Sequence, residues 1–328
     1  MEARTITGVS QPLSVIGYRW SSPMSAAPGA LRDRQATLTR AYVAGVRFFE
    51  TASAPNGPAA ERELASALGE RLGSVVIATG VPAEALEGAH PGEDSVAGPK
   101  MRESVTESKK RLGVAAVDIL LLTAPEGFVW QDPGVRRTIA ELLRSKEIGC
   151  FGAIWPARDP SPKAVDAAIS SGAALIGAPM GLLDNGTIDR LARQADGTPA
   201  RLLAYDPFAG GRLDGSLFHD SPLQRGGPPG PQDLADLSER FKPVLQLGFL
   251  TDGKRRSLSQ AALQFTLSRP MVASALIEGR HPKTLEEAGA LERIPGLTVE
   301  ELCRCDELRR LRLGAEESDT AVRGPSLR

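Results

Sequence analysis

A (β/α)8 TIM barrel is the α/β fold that this sequence predicts, and three observations predict it. Short apolar runs of β character alternate with amphipathic helix patterns from about residue 13 to the C-terminus, the pattern of parallel strands joined by crossover helices. The alternation repeats eight times, which is a complete barrel set. The main competitor, a doubly wound sheet, usually carries G-x-G-x-x-G at its first strand-to-helix turn. Here the residues after Gly17 read YRWSSP.

In chain order, the apolar runs place strands at about 13–17, 46–50, 75–79, 117–122, 150–154, 174–178, 202–205 and 273–277. Each is short and bounded by Gly, Pro or a change of period, as a strand covered on both faces should be. Helical spacing of apolar residues places helices between them at about 31–45, 58–70, 101–112, 133–145, 161–171, 184–194, 256–268 and 283–291, with a last one at 299–313. Two segments break the rhythm. Residues 83–100 are rich in Gly, Pro and acid, and 209–232 contain GGRLDG and RGGPPGPQ, so both read as long loops, after the third and seventh strands. Barrel active sites are built from the loops that follow the strands, so 209–232 is expected either to fold over the site as a flexible lid or to lie on the surface. One domain, 1–328, is expected.

The chain of 328 residues carries 39 basic and 40 acidic side chains. That balance, with no Lys/Arg-rich block, lacks the electrostatic footprint of a nucleic-acid or polybasic membrane binder. The longest apolar runs, such as 117–122 and 273–277, are far shorter than the roughly 20 residues that span a bilayer. The opening MEARTITGVSQ has no apolar h-region, and the sparse set Cys150, Cys303 and Cys305 fits a reducing compartment. A cytoplasmic protein that takes a small-molecule partner is expected, with oligomeric state unread.

Familiar catalytic motifs are missing from the sequence. The chain has no P-loop, H-E-x-x-H, G-x-S-x-G or C-x-x-C, and with only His90, His219 and His281 a metal site is poorly supplied. Cys303 and Cys305, two apart in a helix pattern, point to different faces and read as packing residues.

Five segments, in order, carry more information. They are AYVAGVRFFETASAPNG (41–57), GSVVIATG (73–80), RLGVAAVDILLLTAPE (111–126), LLAYDPFAGGRLDG (202–215) and IEGRHPKTLEEA (277–288). They resemble, in turn, the F-D-T-A-x-x-Y-G segment, the lysine-ending third strand, L-G-x-x-x-x-D-L-x-x-x-H-x-P, Y-S-P-L-x-x-G-L-L-T-G and the adenosine-phosphate stretch of the aldo-keto reductase family. The resemblance covers nearly the whole chain and implies that family's barrel. It also implies hydride transfer from a nicotinamide to a carbonyl, with a tyrosine as proton donor, a lysine and an aspartate adjusting it, and a histidine orienting the substrate.

At those four positions the chain has Pro55, Gly80, Glu50 and Thr123. Proline has no side-chain proton and glycine no charge, so only a carboxylate survives. The family's Ser-Asn aligns with Ile154-Trp155, its Gln with Gly177 and its nicotinamide-stacking aromatic with Met180, while Asp206 and Glu278 replace a serine and a glycine. Like charges there oppose a pyrophosphate. Arg280 aligns with a family arginine near the adenosine phosphate and is expected to bind cofactor only if a dinucleotide is taken, and Arg212 would offset Asp206. No cofactor is favoured, NADP being the one left open.

Glu50 ends an apolar strand and reads either as a general acid or base or as a structural acceptor for backbone N–H groups. Trp20 and Trp155 follow strands and read either as an aromatic pocket wall or as core plugs. Arg19 and Arg212 read as anion-holding or as solvated; Asn56, Thr123, Met180 and Asp206 complete the expected substrate-binding set. The first functional reading is an enzyme that performs cofactor-free acid/base chemistry (dehydration, isomerisation or cyclisation) on a small organic, secondary-type metabolite. The alternatives are a metabolite-binding or regulatory pseudoenzyme and a divergent NADP-dependent oxidoreductase.

Overall fold

The structure, a computed structural model, describes residues 1–20, 30–52, 57–92, 95–156, 159–184, 186–219, 231–251, 253, 255–278 and 282–322. Eight parallel strands close into a barrel in chain order: β3 (Ile16–Arg19), β4 (Phe48–Glu50), β5 (Val76–Val81), β6 (Val117–Thr123), β7 (Ile148–Ile154), β8 (Leu175–Pro179), β9 (Arg201–Tyr205) and β10 (Val272–Ile277). β10 pairs with β3 to complete the ring. Every strand overlaps the run that predicts it, and the expected barrel is the one observed.

A period of two divides each strand between two cores. Phe48, Val76, Ile119, Leu121, Leu203 and Leu276 point inward and pack on one another. Phe49, Ile77, Leu120, Leu122, Ile176 and Leu202 point outward to the helices. This two-sided burial is why the strands read as unbroken apolar runs.

The first strand is shifted from its expected place. Leu13–Ser14 (β2) pairs antiparallel with Ala3–Arg4 (β1) instead. Ser14 causes the break: its hydroxyl donates to the Ile16 carbonyl and accepts from the Arg47 N–H, so the barrel strand restarts at Ile16. The β1–β2 unit stoppers the N-terminal end of the barrel, where Leu13 and Ile6 join the inner core. Gly8 (φ +88°) lies so close to the backbone of Gly149 that a Cβ would sit 2.3 Å from its carbonyl oxygen.

Three other expectations change. Residues 83–100 are not one loop, because they hold a short helix, Ala83–Leu86, and the first turn of the helix Ala97–Leu112. The segment 209–232 contains the short helix Ser216–His219 and runs into an unexpected helix, Pro231–Leu245. Its polar composition and Pro243 concealed that helix, and 220–230, on which the expectation of a lid rests, lie outside the described residues. The last helix runs over Val299–Val322, with Cys305 buried but Cys303 exposed; the two faces do differ, and only Cys305 packs. No helix among the described residues is long and apolar enough to cross a membrane.

Candidate functional site

The C-terminal ends of the strands decide which expected residues meet. Arg19, Glu50, Thr123 and Tyr205 share the inward parity of their strands, and Glu278 follows β10 on the same side. Arg19 makes an ion pair with Glu278 and places its Nε 3.8 Å from Glu50 Oε2. The Glu50 side chain is fully buried behind this guanidinium. Beneath Arg19 lies the ring of Tyr205, 5.8 Å from the guanidinium carbon, within cation–π range. The mouth of the barrel is thus closed by an ionic layer stacked on one aromatic ring.

Two glycines make room for this plug. A Cβ on Gly177 would stand 2.6 Å from the Tyr205 ring and 2.8 Å from Ile154. A Cβ on Gly80 would meet Ala52 at 2.6 Å (Cβ) and 2.7 Å (Cα). The space an inward side chain would take at either position is already filled, in one case by a ring and in the other by backbone.

Beside the plug lies a cavity of about 340 Å³ between the loops that follow β9 and β10, lined by Arg19, Asp206, Phe208, Asp214, Leu276 and Glu278. Asp206 holds a left-handed backbone (φ +47°), and both of its carboxylate oxygens accept from the Gly210 N–H at 2.8 Å. Asp206 remains reachable through the cavity, while the protein around it strips water from its carboxyl. Burial and then the Glu278 charge push its pKa up, against lowering contributions from the Gly210 N–H, Arg212 and Arg19. Arg212 donates from Nε to the Ala209 carbonyl, and burial lowers its pKa against the pull of Asp206. Asp214 accepts from the N–H and hydroxyl of Ser216, the first residue of the short helix that follows.

The expected aromatic wall is not there. Trp20, Trp155 and Met180 are buried among residues between strands and helices, and Trp20 Nε1 donates to Glu63 Oε2 at 3.1 Å. All three stay in barrel register through their backbone N–H groups, bonded to the carbonyls of Glu50, Gly177 and Tyr205. Each sits one residue beyond the last inward side chain, so strand alternation turns it outward. They are core plugs rather than pocket residues.

Thr123 ends β6 with its Oγ1 buried and, among the described residues, without a hydrogen-bond partner. Asn56, Pro55, Arg280 and His281 lie outside the described residues. Cys150 is no nucleophile: it sits in the inner core, where burial first and Asp118 second push its thiol up to about 12. Among the described residues no cluster of His, Cys, Asp and Glu could hold a metal ion.

Sequence reasoning missed Asp214 as a cavity residue and Tyr205 as the floor of the mouth. Counting parity along RLLAY would have found Tyr205, since it keeps step with inward Leu203. No local signal marks Asp214, which reads as an ordinary turn residue.

The molecule is therefore a parallel (β/α)8 barrel with a polar cavity at the C-terminal face, where barrel enzymes carry their sites. Comparison sharpens the class. The model of the aldo/keto reductase family matches residues 20–147. The fold is similar to that of a thermostable aldo-keto reductase solved with the inhibitor epalrestat, at 17% identity and a TM-score of 0.70, covering 94% of this chain and 100% of that one. An aldo-keto reductase from Bacillus halodurans is similar too. Its apo form matches at 17% identity and TM-score 0.66 and its holo form at 18% and 0.67, each over 94% of this chain and 96% of that one. No curated protein matches the sequence. The chain has the aldo-keto reductase fold, as its five segments led one to expect.

Proposed function

We propose that this barrel is an enzyme of acid/base chemistry, without nicotinamide, acting on a small polar metabolite in the cavity beside Arg19. Asp206 carries the reading. It is a cavity-facing carboxyl with a pKa raised by burial and by Glu278, and such a group keeps its proton to higher pH than an ordinary aspartate. Dehydration, isomerisation and cyclisation each need one proton given to an oxygen and one taken from a carbon or heteroatom of the substrate, so that the carboxyl ends as it began, and a cavity-facing Asp206 can do each in turn. Glu50 is reassigned from acid or base to positioning residue, since it is fully buried and reaches the cavity only through Arg19. Arg19 in turn holds Glu278 beside Asp206.

The residues present do not suit the dinucleotide that the fold family would bring. The cavity walls carry Asp206, Asp214 and Glu278, whose charge opposes a pyrophosphate. Arg19, the cation among the lining residues described, is already ion-paired. The inward spaces at Gly80 and Gly177 are filled by Ala52 and Tyr205.

The test has two parts. Titration with NADPH, followed by nicotinamide fluorescence and melting temperature, is expected to change neither, because a ligand of the native state must raise apparent stability; a saturable rise moves the chain to the reductase class. A metabolite panel is then screened by thermal shift and each hit analysed by mass spectrometry after incubation. Conversion by the wild type, with binding but no conversion by Asp206→Asn, is the expected result. A hit recovered unchanged after prolonged incubation with the wild type refutes the enzyme reading in favour of a binding protein.

A further inference from the structure

The cavity beside Arg19 is unevenly charged, and the imbalance selects the kind of molecule that fits it. Among the described lining residues, those that ionise are Arg19, Asp206, Asp214 and Glu278. The guanidinium is shared between Glu278 and the buried Glu50, so its charge is already matched. Arg212 is not one of the described lining residues, and its Nε donates to the Ala209 carbonyl.

Asp214 is the carboxylate left over. Its Oδ1 accepts from the Ser216 N–H at 3.1 Å and from the Ser216 hydroxyl at 2.8 Å, while Oδ2 has the Thr284 hydroxyl at 3.5 Å, too long for a good O–H···O bond. No cation among the described residues pairs with it. A carboxylate drawn partly out of water is costly until a positive group or further donors reach it. Across from these acids the cavity has an apolar side, where Phe208, Pro156 and Leu276 line it. Such a mixture of carboxylate and apolar wall is complementary to a molecule that is cationic at one end and carbon at the other.

Resting on the acid/base reading of this cavity, we propose that its substrate is an organic amine, with its ammonium held by Asp214 and the partly exposed Glu278 and its carbon portion lying on Phe208 and Pro156. An ammonium supplies both the missing positive charge and N–H donors for the Asp214 Oδ2. A neutral alcohol would leave Asp214 without a counter-charge. A carboxylate or phosphate would add another negative group to a wall that already has three. The volume, about 340 Å³, lies at the small end of ordinary small-molecule sites, roughly 300–1,000 Å³, which suits a single-ring or short-chain amine.

The test is calorimetric titration of the full chain with matched ligands: 2-phenylethylamine against 2-phenylethanol, pentylamine against 1-pentanol, and 3-phenylpropanoate as the anion. At least one amine is expected to bind about tenfold or more tightly than its alcohol, and the anion is expected not to bind. Asp214→Asn is expected to abolish that preference with the melting temperature of the wild type. Should the variant melt lower, added potassium chloride on the wild type decides instead, because screening must weaken the amine and spare the alcohol. The proposal is overturned if an alcohol or the anion binds as tightly as the amines, if neither amine binds at about 10 mM, if a well-folded Asp214→Asn keeps the preference, or if salt leaves the amine affinity unchanged. The two readings fail separately. Conversion of a neutral or acidic metabolite from the panel keeps the acid/base reading and overturns the amine class, whereas amine preference with every panel hit recovered unchanged does the reverse.

Discussion

Replacing Gly80 by alanine measures how tightly the loop after β4 closes on the barrel mouth. Gly80 does not adopt a left-handed φ, so alanine brings no backbone strain. Its unfolded-state effect would by itself stabilise by about 0.4–1 kcal/mol, and burying a methyl adds roughly 0.8 kcal/mol. Against this, the new Cβ would lie 2.6 Å from Ala52 Cβ, 2.7 Å from its Cα and 2.9 Å from its carbonyl oxygen, where carbon–carbon contacts normally settle at about 3.5–4.0 Å. Two of those atoms are backbone and cannot rotate away. Overpacking of this kind outweighs the gains, with a net loss of about 1–3 kcal/mol. Gly73→Ala is the control, since nothing lies within 4 Å of its Cβ position; it is expected to be neutral or slightly stabilising. Urea unfolding followed by tryptophan fluorescence reads both variants, because Trp20, Trp130 and Trp155 are all buried. If Gly80→Ala unfolds at the same urea concentration as Gly73→Ala, the space at Gly80 is open and the argument against an inward side chain there fails.

Asp206→Asn should raise stability at neutral pH. A carboxyl whose folded pKa is raised binds its proton more tightly when folded, so its contribution is full below the unfolded value and is lost as pH rises through the folded one. The variant's advantage should therefore shrink toward pH 4, and a melting-temperature difference that ignores pH contradicts the raised pKa. Arg309, 2% exposed, holds Asp184 at 2.6 Å, Asp189 at 3.0 Å and Asp306 at 3.2 Å. Arg309→Met leaves the buried Asp184 without its cation, while Asp189 and Asp306 keep Arg269, and should cost about 3–5 kcal/mol in a denaturant titration; a loss below about 1 kcal/mol would mark the cluster as solvated. Trp20→Phe removes the bond to Glu63 and should lower stability, yet leave unchanged the affinity of any ligand for the cavity beside Arg19. A weakened ligand would return Trp20 to the pocket.

Much of the barrel is legible in the chain, because strands buried on both faces must be apolar throughout and helices covering them must be apolar on one side. Strand and helix positions thus come through to within a few residues over most of the length. The helix Pro231–Leu245 was hidden by an interior proline and a polar flank. Site residues were half legible. Arg19, Glu50 and Asp206 could be named from their places after strands, but Trp20 and Trp155 stayed open between pocket wall and core plug, a choice that strand parity decides by turning both outward.

Periodicity alone predicted the parallel barrel, while only the resemblance to the aldo-keto reductases led one to expect Pro55, Gly80, Glu50 and Thr123 at the positions of that family's catalytic groups. Tertiary structure decided which residues meet. It brought Arg19, Glu50, Tyr205 and Glu278 from four strand ends into one layer, put Asp206 rather than Glu50 on a cavity, and filled the spaces above Gly80 and Gly177. The physical reason is that a sequence states which residues are apolar or charged, whereas burial, charge pairing and occupied volume depend on which chain-distant atoms share the same few ångströms. Only closure of the barrel sets that.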